Sequence, residues 1–290
     1  MIFRARWVLP IERPPIERGW VSIEDGVIHA IGHGQPPSGP ITELGDTALL
    51  PGLVNAHTHL ELAWLAGRIP PAPSMDIWIR GLMAARRESP HEDLQRVAAA
   101  MALDVARAQG TIAFGDISNT LITAPVLAEG APGSVIFHEL LGFTPHDADA
   151  RAKEGAERVE AATRDASPVV PPYPYVRPGL APHAPYSVTR ELFAAIDRNV
   201  RTRMLPSSVH LGESPEEVEF LMTGGGPIAA MLKDLGVWPE GWVAPGVDPA
   251  TYLDRQGVLA PHMLVVHATQ LERGALATVA ERGCIIVSCP

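Results

Sequence analysis

From Ala48 onward, short apolar runs alternate with longer segments of helical spacing. The runs are "ALLPGLVNAHT", "GTIAFGDIS", "GSVIFHELL", "YVRPGLAPHA", "MLPSSVHLG", "HMLVVHATQ" and "GCIIVSCP", and between them lie segments such as "HEDLQRVAAAMALDVARAQG", "ADARAKEGAERVEAATRD" and "TRELFAAIDRNVRT". Repeated strand-then-helix order implies parallel strands with helices packed across them. The chain is therefore α/β, either a TIM-type (β/α)8 barrel or an open doubly wound sheet. The open sheet lacks its usual fingerprint: no G-x-G-x-x-G follows the first run, and G-x-x-x-x-G-K-[ST] is absent. "TGGGPI" at Thr223 to Ile228 follows a helix and reads as a loop or helix C-cap. A barrel needs eight strands, and only seven runs are present, the last ending at Pro290. Two strand edges would then lack partners.

The first 49 residues follow another pattern. "GWVSIEDGVIHAIG" alternates apolar and polar positions around Asp25-Gly26, which signals a hairpin. With "MIFRARWVLP" it predicts a small β-sandwich module over residues 1–49, ahead of a barrel over 50–290. The chain has 290 residues and 46% hydrophobic content, enough for a large core. Its net charge of −10 argues against nucleic acid, because phosphate binding requires a basic surface. No apolar stretch reaches the ~20 residues that span a bilayer, and the N-terminus lacks a signal-peptide pattern. With only Cys284 and Cys289 there is no disulfide framework, and both read as buried thiols of a cytoplasmic protein.

The polar residues gather where the runs end. The first run ends in His57 and His59, the second carries Asp116, and the third ends in His138-Glu139. The fourth ends in His183, the fifth in His210 with Glu213 three residues on, and the sixth in His267. In a strand, residues i and i+2 face the same side, so His57 and His59 aim at one place. Strand C-termini are where ligands and catalytic groups collect in α/β barrels and sheets.

The fifth run is the most informative. Ser214-Pro215-Glu216-Glu217 forms a capping box with proline at the first helical position. A helix therefore starts near Pro215, leaving His210 on the strand end and Glu213 in the βα loop. Neutral imidazoles with a carboxylate and an open position make a catalytic metal arrangement, suited to zinc or iron. Such an ion brings the pKa of its water toward neutrality, and an adjacent glutamate can carry the proton. The chain's two lysines, Lys153 and Lys233, lie away from every strand end. A two-metal site bridged by a carboxylated lysine is therefore not expected; one metal ion is. H-E-x-x-H, the H-x-E with P-C-x-x-C pair and G-x-S-x-G are all absent.

With these residues in view, the chain resembles the amidohydrolase superfamily in its mononuclear deaminase and chlorohydrolase branch. "PGLVNAHTHLE", "APHAPYSV", "VHLGESPEEVEFL" and "LVVHATQL" occur in the order that family uses. The resemblance implies that His57, His59 and His210 hold the metal and that Glu213 shuttles the proton. His267 would hold or polarise the metal-bound hydroxide, and His183 would contact substrate. Glu61 would meet a substrate group or serve the structure. "HTHLELAWLAG", "FHELLGF" and "GESPEEVEFL" look most like the aminodeoxyfutalosine deaminase group of menaquinone synthesis. That implies hydrolytic loss of the 6-amino group from an adenine-type nucleoside as ammonia. Related members act on guanine, cytosine, adenosine derivatives or chlorotriazines. The expected partner is a small-molecule substrate, with no nucleic acid and no membrane, and a homodimer is the default for a cytosolic enzyme.

The chain also departs from the family. Its relatives carry a last metal ligand, an aspartate after the eighth strand, and C-terminal strands that complete the small β module. This sequence stops at "IIVSCP", and Asp116, on the second strand, is a poor substitute. The expectation is a C-terminally truncated sequence, competing with a catalytically incomplete remnant.

Overall fold

The computed structural model describes residues 1–143, 147–166, 175–238 and 241–289. Pro290, the expected end of the seventh strand, lies outside them. The chain divides into two compact units, Met1–Leu53 and Val54–Pro290.

The first unit is a five-stranded sheet of β1 (Ile2–Val8), β2 (Ile16–Glu24), β3 (Val27–His33), β4 (Ile41–Glu43) and β5 (Ala48–Leu49). The expected hairpin joins β2 to β3, with Asp25 and Gly26 both left-handed (φ 50° and 78°), as a two-residue turn matched to strand twist requires. The run "ALLPGLVNAHT" is not one strand. Ala48 and Leu49 pair parallel with Trp7 and Val8 of β1. Pro51-Gly52 ends that pairing, and the chain restarts as β6 (Leu53–Thr58).

The second unit is a parallel sheet of β6, β7 (Thr111–Ser118), β8 (Val135–Leu140), β9 (Arg177–Pro182), β10 (Ser207–Leu211), β11 (Met263–His267) and β12 (Ile285–Val287). These seven strands neighbour one another in strict chain order, with β6 and β12 at the ends. This is the TIM-type α/β arrangement that the alternation predicts. The intervening helices are α1 (Met75–Arg86), α2 (Glu92–Ala108), α3 (Ala124–Gly130), α4 (Ala148–Ala166), α5 (Arg190–Arg203), α6 (Pro215–Thr223), α7 (Gly226–Asp234), α8 (Pro249–Arg255) and α9 (Arg273–Glu281). No helix among the described residues is long and apolar enough to cross a membrane.

Strand alternation sorts the core into two layers. Ile136, Leu180, Val209 and Val265 face the helices and pack with Leu127, Phe193 and Val279. Their neighbours Phe137 and Ala181 form a separate inner cluster with Ile117. Two residues further along β8 and β9, Glu139 and His183 share that inner side. The close approach of β7 to β6 needs Gly115, since a Cβ there would sit 2.3 Å from the Ala56 carbonyl oxygen. Cys284 and Cys289 are half-buried free thiols, less enclosed than the sequence predicts.

Candidate metal centre at the strand ends

Five of the six strand-end histidines converge. The His57 ring lies 5.0 Å from His59, 4.9 Å from His210 and 5.3 Å from His267, centroid to centroid. His183 is 4.9 Å from His210. The facing Nε2 atoms of His59 and His210 are 3.4 Å apart. Ring nitrogens of His57, His210 and His267 all lie within 4.8 Å of one another. The sixth, His138, points the other way: its Nδ1 meets the Ser118 carbonyl at 3.1 Å. Adjacent residues of a strand face opposite sides, so His138 and Glu139 cannot both reach the cavity.

Each ring is held in a form that can bind a cation. Nδ1 of His210 bonds the His183 carbonyl at 3.0 Å. That makes Nδ1 the N–H donor and leaves Nε2 with a bare lone pair. Burial lowers His57 to about 4, with His267 adding to the effect. Burial, then neighbouring imidazoles, lowers His59 to about 3. His183 falls to about 4 and His210 well below its ordinary value, both chiefly through burial. Nδ1 of His57 is buried with no hydrogen-bond partner. Neutral, converging imidazoles with an orphaned nitrogen are a donor set that fits a divalent transition ion.

The loop after β10 aims Glu213. Ser214 caps α6 by accepting from the Glu217 N–H at 3.3 Å, and Pro215 is the first helical residue. The Glu217 carboxylate reaches further back than a capping box requires, accepting from Gly212 N at 3.1 Å and Glu213 N at 3.0 Å. Gly212 is left-handed at φ +60°, and a Cβ there would meet Leu271 at 2.7 Å. So clamped, the Glu213 carboxylate sits 3.5 Å from His267 Nε2. Burial raises Glu213 to about 7, where a carboxyl exchanges protons at neutral pH. The sequence assigns Glu217 to the capping box of α6; its part in fixing Glu213 emerges from the backbone it grips.

His267 reaches the cluster against the register of its strand. Leu264 packs with the inner cluster and Val265 with the helix layer, so alternation would turn His267 outward with Val265. Positive φ at His267 (73°) and Ala268 (56°) breaks the alternation. Such backbone costs about 1–3 kcal/mol per residue and collects at functional sites.

Two acidic residues near the cluster are structural. Asp116 accepts from Leu60 N at 2.7 Å and Thr123 Oγ1 at 2.6 Å, which anchors the 3-10 turn Leu60–Leu65 behind His59. Glu61 takes four donors: Ser118 Oγ at 2.7 Å, Asn119 N at 3.0 Å, Thr120 N at 3.0 Å and Thr120 Oγ1 at 2.6 Å. Of the two roles its position allows, these bonds describe the structural one. Glu61 is not among the residues lining the cavity.

That cavity, about 530 Å³, opens over the imidazoles and has mostly apolar walls. One wall is α1, whose Met75, Trp78, Ile79, Leu82, Met83 and Arg86 face inward at helical spacing. No residue of α1 is fully buried; its apolar stripe borders the cavity, with Ile79 also packing against the core cluster around Phe220. The cavity is also lined by Glu139, a strand-end residue absent from the ligand and substrate set the sequence suggests.

Parallel strands in chain order, with imidazoles pooled at their C-terminal ends and a carboxyl beside them, define a TIM-type barrel with a candidate mononuclear metal centre. The amidohydrolase family profile matches residues 48–240, and the chain belongs to that family. It is 31% identical over 264 residues to the aminodeoxyfutalosine deaminase of Deinococcus radiodurans, covering 86% of this chain and 58% of that protein. Helicobacter pylori aminofutalosine deaminase, solved with methylthio-coformycin, superposes with a TM-score of 0.82 at 22% identity, over 100% of this chain and 69% of that one. An adenosine deaminase from Xanthomonas campestris with bound zinc gives 0.73 at 22% identity, over 100% and 62%. The chain spans about three fifths of the length of the curated relatives it matches.

Proposed function

We propose that this chain carries the metal-binding core of a hydrolytic deaminase acting on a 6-aminopurine nucleoside of the aminodeoxyfutalosine type, in the cytoplasmic synthesis of menaquinone. The observation that carries the reading is the convergence of His57, His59, His210 and His267 beside Glu213. The likeness to the Deinococcus radiodurans deaminase supports the substrate class.

In this reading His57, His59 and His210 hold one divalent ion, zinc or iron. When bound, the ion supplies a Lewis acid that brings a water's pKa near neutrality. Glu213 would carry a proton from the attacking water to the ring nitrogen next to carbon 6 as the water's oxygen bonds to that carbon. Glu213 would then pass the second proton of that oxygen to the amino group, the exocyclic carbon–nitrogen bond breaks, ammonia leaves, and the oxygen remains on carbon 6 as the carbonyl. His267, 3.5 Å from Glu213, steadies the developing charge on oxygen, and His183 contacts the base. The apolar walls exclude bulk water, which strengthens each of these interactions.

The test is metal analysis of the purified protein followed by ammonia release from a panel of aminopurines and their nucleosides. The expected result is close to one zinc or iron per chain and ammonia from a 6-amino nucleoside. Chloride from a chlorotriazine with no ammonia from any purine would overturn the substrate class, and a metal-free protein inactive after reloading would overturn the whole reading.

A further inference from the structure

Arg86, at the C-terminal end of α1, carries a charge that none of the roles above uses. Among the described residues lining the cavity it is the one arginine or lysine. It is exposed, and among the described residues its side chain makes a single bond, from Nη1 to Asn119 Oδ1 at 3.2 Å, and no ion pair. Arg80, on the same helix, is engaged differently: its Nη2 meets the Asp234 carboxylate of α7 at 2.6 Å.

Two local uses do not account for Arg86. It does not pair with Glu139, because Asn119 stands between them. That amide accepts from Arg86 and donates through Nδ2 to Glu139 Oε2 at 2.9 Å. Complementing the helix dipole requires only a cation in the last turn, and Arg87, the C-cap of α1, serves that end without lining the cavity. A guanidinium offers five N–H donors in a fixed fork. With one of them on Asn119, the rest of the fork is open to whatever fills the cavity.

The wall beside it gives the ligand's shape. Trp78, Leu82 and Arg86 are spaced four apart, so they lie along one line of α1, and all three line the cavity. From Trp78 to Arg86 is roughly 12 Å at the helical rise per residue. A ligand along this line meets apolar side chains first and the guanidinium last. Low-dielectric walls concentrate the field of a charge in a cleft, so the line favours an apolar segment that ends in an anion.

We propose that Arg86 determines specificity: it binds an anionic group, carboxylate or phosphate, on the part of the substrate that does not react. This rests on the nucleoside reading above, in which the base lies at the imidazoles. Those imidazoles and Arg86 line the same cavity.

The experiment measures calorimetric binding and ammonia release with the metal-loaded protein and its Arg86→Gln and Arg87→Gln variants. Two matched pairs serve as probes: a 5′-(carboxyalkyl)thioadenosine against its carboxamide, and adenosine 5′-phosphate against adenosine. In the unmodified protein the acid of at least one pair should bind about fivefold to thirtyfold more tightly than its neutral partner, the worth of a charge-assisted hydrogen bond reduced by solvent at an exposed residue. The pair that shows the preference identifies the acid. Arg86→Gln should abolish the preference and leave the neutral compounds within about twofold, while Arg87→Gln keeps it. Equal binding within both pairs by the unmodified protein would overturn the assignment, as would a preference that survives Arg86→Gln or that Arg87→Gln also removes. An equal loss of acid and neutral compound in Arg86→Gln would do the same, since a structural role predicts it. If ammonia is released and the acid group makes no difference, the deaminase reading stands and the Arg86 assignment alone falls. If the preference vanishes with Arg86 but no compound releases ammonia, the assignment stands and the deaminase reading falls. If none of the four binds, both fall.

Discussion

Two acidic neighbourhoods of the same barrel end are built in opposite ways. At β6 and β7, Asp116 and Glu61 have both oxygens of each carboxylate bonded by nearby hydroxyls and backbone N–H groups. Around the imidazole cluster, to which β6 contributes His57 and β8 and β10 contribute Glu139 and His210, polar atoms are left short of partners: Nδ1 of His57, Oε1 of Glu139 and the bare Nε2 of His210. Both neighbourhoods are buried, so burial does not distinguish them. A saturated carboxylate stiffens the scaffold, whereas an unsaturated atom keeps its bonding capacity for a ligand.

Removing groups from each side should separate the two neighbourhoods. The largest effect belongs to the unsaturated side. Glu213→Gln should lower ammonia release by about 10²- to 10⁴-fold, the usual worth of a positioned proton carrier, while Tm shifts little. A large Tm loss would move Glu213 to the structural side. Next, Glu61→Ala strips four donors of their acceptor and should destabilise the fold by about 3 kcal/mol in urea unfolding. Its metal stoichiometry should be retained, and ion loss without a stability loss would erase the contrast. Smaller still, Ser118→Ala removes one of those donors and should cost about 1 kcal/mol in the same measurement.

The smallest effect is a flat pH response. Protons compete with a cation for imidazole only near the imidazole's own pKa, and His57 and His59 are lowered to about 4 and about 3. Lowered pKa values mean that metal affinity is present above them and is lost as pH falls through them. Zinc Kd should therefore change less than about threefold between pH 7 and 5.5, whereas free imidazoles with a pKa near 6.5 would already weaken there. A steep loss beginning at pH 6.5 would place these rings in water and not in the buried cluster.

Much of this contrast is legible in the sequence, unevenly. Alternating runs and helical segments announce parallel strands, and terminal histidines mark the ends that matter. Ser214-Pro215 locates the start of α6 and so separates His210 from Glu213. The partners of the acids are not legible, because they come from far along the chain: Glu61 is met by residues 118–120, and Asp116 by Leu60. The third run names His138 and Glu139 together, and alternation says that only one can face inward. Which one depends on the register of β8, fixed by pairing with β7 and β9. His267 is harder still, since strict alternation points it away and only its left-handed backbone returns it. The apolar stripe of α1 is visible as periodicity, but periodicity alone assigns such a face to a core, and here it borders a cavity.

Glu217 links helix nucleation to the placement of Glu213, the proposed proton carrier. One carboxylate grips the backbone of Gly212 and Glu213 while its own N–H is capped by Ser214. Directed evolution at Ser214 or Glu217 for heat tolerance would therefore select on turnover at the same time. Libraries randomised at those two positions should yield few survivors in which the two traits have been separated.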